Sequence, residues 1–355
     1  MPKQSRIFID VHALQTVPPS CVNRDDTGSP KTAVYGGATR ARVSSQAWKR
    51  AMRLMFADIF TEEQIGERTK RIVPMVAEEI SKLDNSLDAE KIAAEALKNA
   101  GLSIKNTEKG TDALFFMSKA QAKALAKLAV DKNTDKNAYK IALAEAPSVD
   151  MALFGRMVAS DPSLNFDAAA QVAHSISTHA VHNEYDYFTA VDDRASDDNA
   201  GAGHVGTVEF NSATLYRYAT VNACELADQL GKDTAEVVRG FVEAFIRAMP
   251  TGKQNTFANR TLPDAVYVTV RCDQPVNLCG AFEKPVSSQA GYVEASEKRL
   301  VEYAQKTYHE FVSEPVLALG IGDALNNIAQ IMPLHELLDL LEAWLKEQLP
   351  DCGVV

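Results

Sequence analysis

The sequence predicts an α+β protein of the ferredoxin-like kind, and three observations carry that expectation. An alternating apolar run opens the chain, an amphipathic helix follows it, and a second strand–helix–strand set returns after a helical interruption. In Arg6–Leu14, the residues Ile7, Ile9 and Val11 share one face, the alternation of a half-buried strand. From Val17 to Lys31 the chain is rich in Pro, Ser, Asn, Asp and Gly and reads as a long loop, a length usually reserved for function or flexibility. Gly36-Gly37 then leads through Arg40–Val43 to a helix that Ser44 is placed to cap. Trp48, Ala51, Met52, Met55, Phe56 and Ile59 recur at the helical period as its buried stripe. Gln46, Lys49, Arg50 and Arg53 stand on the opposite face, so cations project from the first turns of a helix whose free amides already favour anions.

Between residues 61 and 146 the texture becomes Ala-, Lys- and Glu-rich. Asp88–Ala100 and Ser118–Val130 read as short capped helices, and the block predicts a helical insertion with no chemistry of its own. Strand texture returns over Ser148–Ala159, a helix is predicted over Phe166–Ile176, and a further sheet segment runs from His179 to Val191. The polar, Gly-containing stretch 192–203 lies between two strand-like flanks and reads as the tip of a long β-ribbon. Asp233 and Glu236 have the spacing of a capping box ahead of a core-facing helix that Pro250 ends. A strand over Ala265–Arg271 and helices over Glu297–Phe311 and Leu334–Leu349 complete the expectation.

Composition narrows the function. The 355 residues include no apolar run long enough for a membrane span and no secretion-like start in Met1–Asp10. The five cysteines are scattered and never form a Cys-x-x-Cys pair, so reduced thiols in the cytoplasm are expected and zinc fingers are not. The chain is acidic overall, with a net charge of −10. Yet residues 1–55 hold nine Lys and Arg (Lys3, Arg6, Arg24, Lys31, Arg40, Arg42, Lys49, Arg50, Arg53) against three Asp. A basic island on an acidic protein points to one anion-binding face, with chance clustering on a solvated surface as the bland alternative.

Catalytic signatures are weak. Gly36-Gly37 fits neither phosphate-loop pattern, though close approach of an anion to that backbone stays open. His174, His179 and His182, with Glu184 nearby, invite a metal reading, but strand spacing turns them to different faces and structural histidines are the simpler expectation. Asp25 and Asp26 could hold Mg²⁺ and cut a phosphodiester, or they could make a turn in which Asp bonds its own backbone. No Cys/His or Ser/His/Asp spacing argues for a nucleophile, so a binder is expected rather than an enzyme, with no cofactor and no metal.

Eight motifs then occur in order: Pro-Ser-Cys-Val-Asn-Arg-Asp-Asp (19–26), Tyr-Gly-Gly (35–37), Arg-Val-Ser-Ser-Gln-Ala-Trp-Lys-Arg-Ala-Met-Arg (42–53), Gly-Arg-Met (155–157), Asp-Tyr-Phe-Thr-Ala-Val-Asp-Asp (186–193), Gly-Thr-Val-Glu-Phe (206–210), Tyr-Arg-Tyr-Ala (216–219) and Gly-Lys-Gln-Asn-Thr-Phe-Ala (252–258). Together they resemble the CasC family, the backbone subunits of type I-E CRISPR Cascade complexes within the RAMP superfamily. The resemblance implies a right-hand architecture. An RRM-like palm (1–60, 147–190 and 215–355, the last with the C-terminal helices) carries a helical finger insertion (61–146) and a β-ribbon thumb (191–214). It implies a subunit without a nuclease of its own that stacks with further copies along a CRISPR RNA. Its other partners would be the target DNA strand, the remaining Cascade subunits and, indirectly, a recruited helicase-nuclease, with no membrane. Arg24, Lys31, Arg42, Ser44, Ser45, Gln46, Lys49, Arg50 and Arg53 match the family's grip on the RNA backbone. Met157, Phe188, Thr189 and Val191 match the apolar group that props bases apart. A related RAMP family cuts RNA with a loop aspartate, which keeps Asp25 and Asp26 as the enzymatic alternative.

Overall fold

The computed structural model describes residues 6–106, 110–111, 113–190, 193 and 204–349. It opens with β1 (Phe8–Ser20), the hairpin β2 (Thr32–Tyr35) and β3 (Ala38–Val43), and α1 (Ser45–Ile59). An insertion follows: β4 (Glu67–Thr69), α2 (Ile72–Leu83), α3 (Ala89–Asn99), β5 (Ile104–Asn106), β6 (Gly110–Thr111), β7 (Phe115–Met117), α4 (Lys119–Val130) and α5 (Lys136–Ala144). The chain returns through α6 (Val149–Phe154), β8 (Ala170–Val172), β9 (Ser175–Ser177), β10 (Glu184–Ala190) and the long β11 (His204–Asn222). It ends with α7 (Ala223–Leu230), α8 (Thr234–Arg247), α9 (Gln254–Phe257), β12 (Ala265–Arg271), α10 (Val293–Glu310), β13 (Leu317–Ile321), β14 (Gln330–Ile331) and α11 (Leu334–Gln348).

One mixed sheet organises the molecule, in the order β14-β13-β12-β1-β11-β9-β3-β2, with β8 and β10 also paired to β11. β1 lies at its centre, antiparallel to β11 (Ile9↔Val221, Leu14↔Tyr216) and to β12 (Phe8↔Arg271, Leu14↔Ala265). Ile7, Ile9 and Val11 of β1 face a core built with Trp48, Met52 and Phe56 of α1, Phe241 and Phe245 of α8, and Leu337 and Leu341 of α11. The other face of β1 is covered too: Leu14 packs with Tyr216, Tyr267, Phe282 and the α10 residues Leu300 and Ala304. The strand is therefore buried on both faces rather than one, because helices sandwich this part of the sheet. The insertion encloses its own core of Ile72, Val76, Ile80, Leu97, Leu125 and Leu143, which extends to Val158 and Leu164.

Four sequence expectations need correction. Ser148–Ala159 is not a strand: Val149–Phe154 is α6, a short apolar run whose period cannot separate strand from buried helix. Phe166–Ile176 is not a helix. Its alanines give helical propensity, but Ala170↔Val221, Val172↔Ala219 and Tyr216↔Ile176 pair it to β11, and tertiary pairing outweighs propensity. Asp233 makes no capping bond at α8; instead Thr234 Oγ1 donates to the Gly231 carbonyl at 2.7 Å. Val17–Ser20, read as loop, belongs to β1 and pairs to β11 with an irregularity in register. The ribbon pairing runs from Glu184↔Phe210 to Ala190↔His204. Val191 lies outside the described residues. Among the described residues no helix is long and apolar enough to cross a membrane.

Candidate nucleic-acid interface

The site is built on the start of α1. Ser44 caps the helix by accepting from the Ala47 amide at 3.3 Å, so its hydroxyl is buried in the cap. The helix is held to the sheet by Trp48, whose Nε1 donates to Ser175 Oγ at 3.0 Å and whose ring lies 3.8 Å from the buried guanidinium of Arg217. Anchoring one face this way fixes where the other face points. Ser45 and Lys49 are half-buried, Gln46 and Arg50 exposed, and these four rise along the solvent side.

Asn23 ties the preceding loop to this helix. Its side-chain oxygen accepts the Ser44 amide at 2.9 Å, and its carbonyl accepts the Lys31 amide at 2.8 Å. Lys31 in turn accepts the Arg42 amide at 2.9 Å. Arg42 donates from Nε to the Thr32 carbonyl at 3.1 Å, and its Nη1 lies 3.1 Å from His174 Nδ1. His174 is driven down from its ordinary value by burial first and then by the charges of Arg42 and Lys31, so the imidazole stays neutral beside two cations. Arg24, Lys31 and Arg42 are thereby brought to one side of the α1 amino end. Between loop and helix lies a cleft of about 550 Å³, lined by Val22–Gly28, Ala47, Arg50, Leu54 and Pro250–Gly252.

Not every predicted residue is free to meet an anion. Arg40, counted in the basic island, is fully buried and donates to the Ser177, Phe282 and Glu283 carbonyls. Arg53 is paired to Asp150 at 2.9 Å and stacks 4.6 Å from the Phe116 ring. Asp25 is spent on its own loop: Oδ1 accepts from the Thr27 amide (2.9 Å), the Thr27 hydroxyl (2.7 Å) and the Ser29 amide (3.0 Å). Led by the Thr27 hydroxyl, these bonds hold its carboxyl below the usual range. Gly36 approaches the Glu283 carbonyl, not a free space for an anion. His179 takes up both ring nitrogens, Nε2 accepting from the Thr214 amide and Nδ1 donating to the Ala180 carbonyl. Among the described residues no three His, Cys, Asp or Glu side chains come together as a metal set.

The three described wedge residues, Met157, Phe188 and Thr189, do not share one surface. Phe188 and Thr189 alternate onto opposite faces of the ribbon. Phe188 is opposite Gly206, where a Cβ would stand 2.4 Å from its ring, so only glycine lets the ring lie across the partner strand. Met157, 85% exposed, lines a separate cleft with Arg68 and Phe116. Sequence reasoning passed over Arg68. Its guanidinium is 5.0 Å from the Phe116 ring on the side of the insertion that meets Arg53, and Lys49 is pushed down by burial and then by Arg68. Nothing local to β4 signals this; the contact comes from folding the insertion back on α1.

The family profile described as CT1975-like protein matches residues 9–342. Among solved structures, the chain is similar to one from a "CRISPR RNA-guided surveillance complex, pre-nicking", with 31% identity, a TM-score of 0.81, and 95% of this chain and 99% of that chain covered. It is also similar to a chain of a "CRISPR RNA-guided surveillance complex", with 30% identity, a TM-score of 0.64 and the same coverage of both chains. No curated protein matches it.

Proposed function

The chain belongs to the CT1975-like protein family, and from that premise we propose that it is the non-catalytic, CRISPR RNA-binding backbone subunit of a type I-E Cascade surveillance complex in antiviral defence. Several copies would stack along the guide in the cytoplasm, each gripping phosphates, displacing periodic bases and offering the rest to target DNA. The other Cascade subunits would complete the assembly, and a recruited helicase-nuclease would cut the target.

The observation that carries this reading is the joint that Asn23 makes between the Arg24–Lys31 loop and the capped start of α1. It sets the loop that bears Arg24 against Arg50 in one cleft, with Lys31 and Arg42 together beside His174, near a helix amino end where amides and cations favour phosphate, while Lys49 turns toward Phe154 and Arg68. A subunit that must accept any guide needs contacts to phosphates, because these carry no base information. The strand order β12-β1-β11-β9, antiparallel throughout, with α1 and α8 against one face, supports an RRM-like palm. The separate core of the insertion supports a finger, and the β10–β11 ribbon supports a thumb.

Purification from native cells tests the proposal. The complex should carry one discrete small RNA, and complementary RNA incubated with it and Mg²⁺ should stay intact. Protein free of RNA would overturn the binding role; cuts abolished by Asp25→Ala would overturn the non-catalytic one.

A further inference from the structure

His174 stands in the link between β8 and β9, exposed, with Lys31 and Arg42 half-buried beside it. Arg42 Nη1 lies 3.1 Å from His174 Nδ1. A guanidinium has only donors, so Nδ1 must accept, and an imidazole that accepts there is neutral, with its one proton on Nε2. The same guanidinium is held from its other side, where Nε donates to the Thr32 carbonyl at 3.1 Å. The direction of Arg42 therefore depends on a histidine in its uncharged form.

The surroundings of His174 favour that form. Burial first, and then Arg42 from β3 and Lys31 from the loop ahead of β2, hold it below its ordinary value. On β11, the titratable Tyr216 and Tyr218 spend their hydroxyls in the core, on His12, Asn277 and Asp10. Helix α1 packs here through Trp48 on Ser175, while Lys49 turns to Phe154 and Arg50 to the Asn23–Gly28 loop. Among the described residues no carboxylate forms an ion pair with His174, Arg42 or Lys31, so the positive charge at this spot awaits an anion from outside the chain.

We propose that His174 is a proton-linked positioning residue of the phosphate grip, taking one proton from solvent onto Nδ1 when a phosphodiester settles between Lys31 and Arg42. The inference rests on the reading of this face as the grip. An anion there offsets the two charges that oppose protonation. The imidazolium that forms has no acceptor left, so it releases the Arg42 guanidinium toward the phosphate and adds a third positive charge. Because the bound chain then holds more protons than the free one, affinity for the strand rises as pH falls through the imidazole range. Only charge is sensed, so the effect is the same for any base sequence.

The test uses the full chain and a 5′-hydroxyl oligouridylate, a strand with no group that titrates between about pH 5.5 and 8. Filter binding at fixed salt should show the native affinity rising toward acid pH, by about tenfold for each unit by which the bound phosphate raises the imidazole. His174→Gln keeps an oxygen that accepts from Arg42 but gains no proton, and it should lose that rise. His174→Ala should lose it as well. Native and variant profiles that run parallel, separated by one factor at every pH, would overturn the proposal, since a merely structural contact behaves that way. Arg42→Ala and Lys31→Ala, measured alongside, separate the two layers. If they weaken binding while the native and His174→Gln profiles stay parallel, the proton linkage alone falls; if they leave affinity unchanged at every pH, the grip at Lys31 and Arg42 falls and the linkage with it.

Discussion

Arg53 Nε donates to Oδ2 of Asp150 across 2.9 Å, and the aspartate side chain is wholly buried. The pair joins α1 to the start of α6, while Asp150 Oδ1 holds the Gly66 amide at the entry to the insertion. Three chain segments thus converge on one carboxylate, and the arginine that sequence places in an RNA grip is first of all a structural cation.

Removing the guanidinium leaves that carboxylate buried with only two of its three donors. Arg53→Ala is expected to lower stability by about 1.5–3 kcal/mol, the range for a hydrogen bond to a charged group, read from urea unfolding of the RNA-free chain. Adding Asp150→Asn should return a large part of the loss, because the uncompensated charge is then gone. A single-variant loss under about 0.5 kcal/mol, as for an ordinary surface site, would reduce the pair to a surface contact.

Arg50 is exposed, and Lys49 is half-buried with its ammonium 5.5 Å from the Phe154 ring; neither is held in an ion pair by a described residue. Neutralising both should flatten the slope of log affinity against log salt by about 1.4 for single-stranded RNA, about 0.7 for each phosphate contact. Filter binding from low to moderate salt reads the slope directly. Arg50→Ala should leave the unfolding midpoint in place, since its side chain is exposed. An unchanged slope in the double variant would remove α1 from the interface.

What the sequence made legible was whatever the chain decides locally. The period of α1 and its Ser44 cap are fixed within a few residues, and β12 spans Ala265–Arg271, a short segment rich in β-branched and aromatic residues. The resemblance matched Arg24, Lys31 and Lys49 to one grip, and Asn23 ties the loop that bears Arg24 and Lys31 to the start of α1. The rest depended on distant partners. Arg53 and Asp150 are 97 residues apart in sequence, so nothing near position 53 reveals that its charge is taken. Arg40 looks like its neighbours until Phe282 and Glu283 bring carbonyls to it. β8 and β9 read as helix because their strand partner, β11, comes some forty residues later. Arg68 was missed for the same reason, since Phe116 and Arg53 reach it only through tertiary folding.

Gly36 and Gly37 form the turn of the β2–β3 hairpin, both at positive φ (58° and 74°). Their surroundings differ. A Cβ on Gly36 would stand 1.6 Å from the Glu283 carbonyl oxygen, whereas one on Gly37 meets nothing within 4 Å. Gly37→Ala should therefore cost only the left-handed backbone penalty, about 1–2 kcal/mol. Gly36→Ala should cost clearly more, because the hairpin must lift from residues 282–283 and loosen the Arg40 bonds to the same carbonyls. Comparing thermal midpoints of the two variants checks this, and equal losses would mean that the hairpin does not dock as described.

Beneath the sheet, Asp10 and His12 make the stability of the chain depend on pH in opposing directions. Burial raises Asp10 from 3.8 to about 6, against lowering by its bonds from the Val276 amide and the Tyr218 hydroxyl and by the charge of Arg271. Burial lowers His12 from 6.5 to about 3, helped by Arg271, while its Nδ1 meets the Tyr216 hydroxyl at 2.8 Å. An acid whose folded value is raised contributes stability that is whole below pH 3.8 and lost as pH climbs through 6. A base whose folded value is depressed contributes stability that is present above 6.5 and lost as pH falls toward 3. The two slopes offset each other between about pH 4 and 6 in the native chain. Replacing one residue exposes the other. Relative to the native chain, Asp10→Asn should gain stability as pH rises from 4 to 6, by a few kcal/mol at about 1.4 per pKa unit, and stay level above. His12→Gln should gain over the native chain as pH falls from 6.5. Urea midpoints taken across pH 4 to 8 give both differences, and differences that do not vary with pH would show that neither group changes its proton affinity on folding.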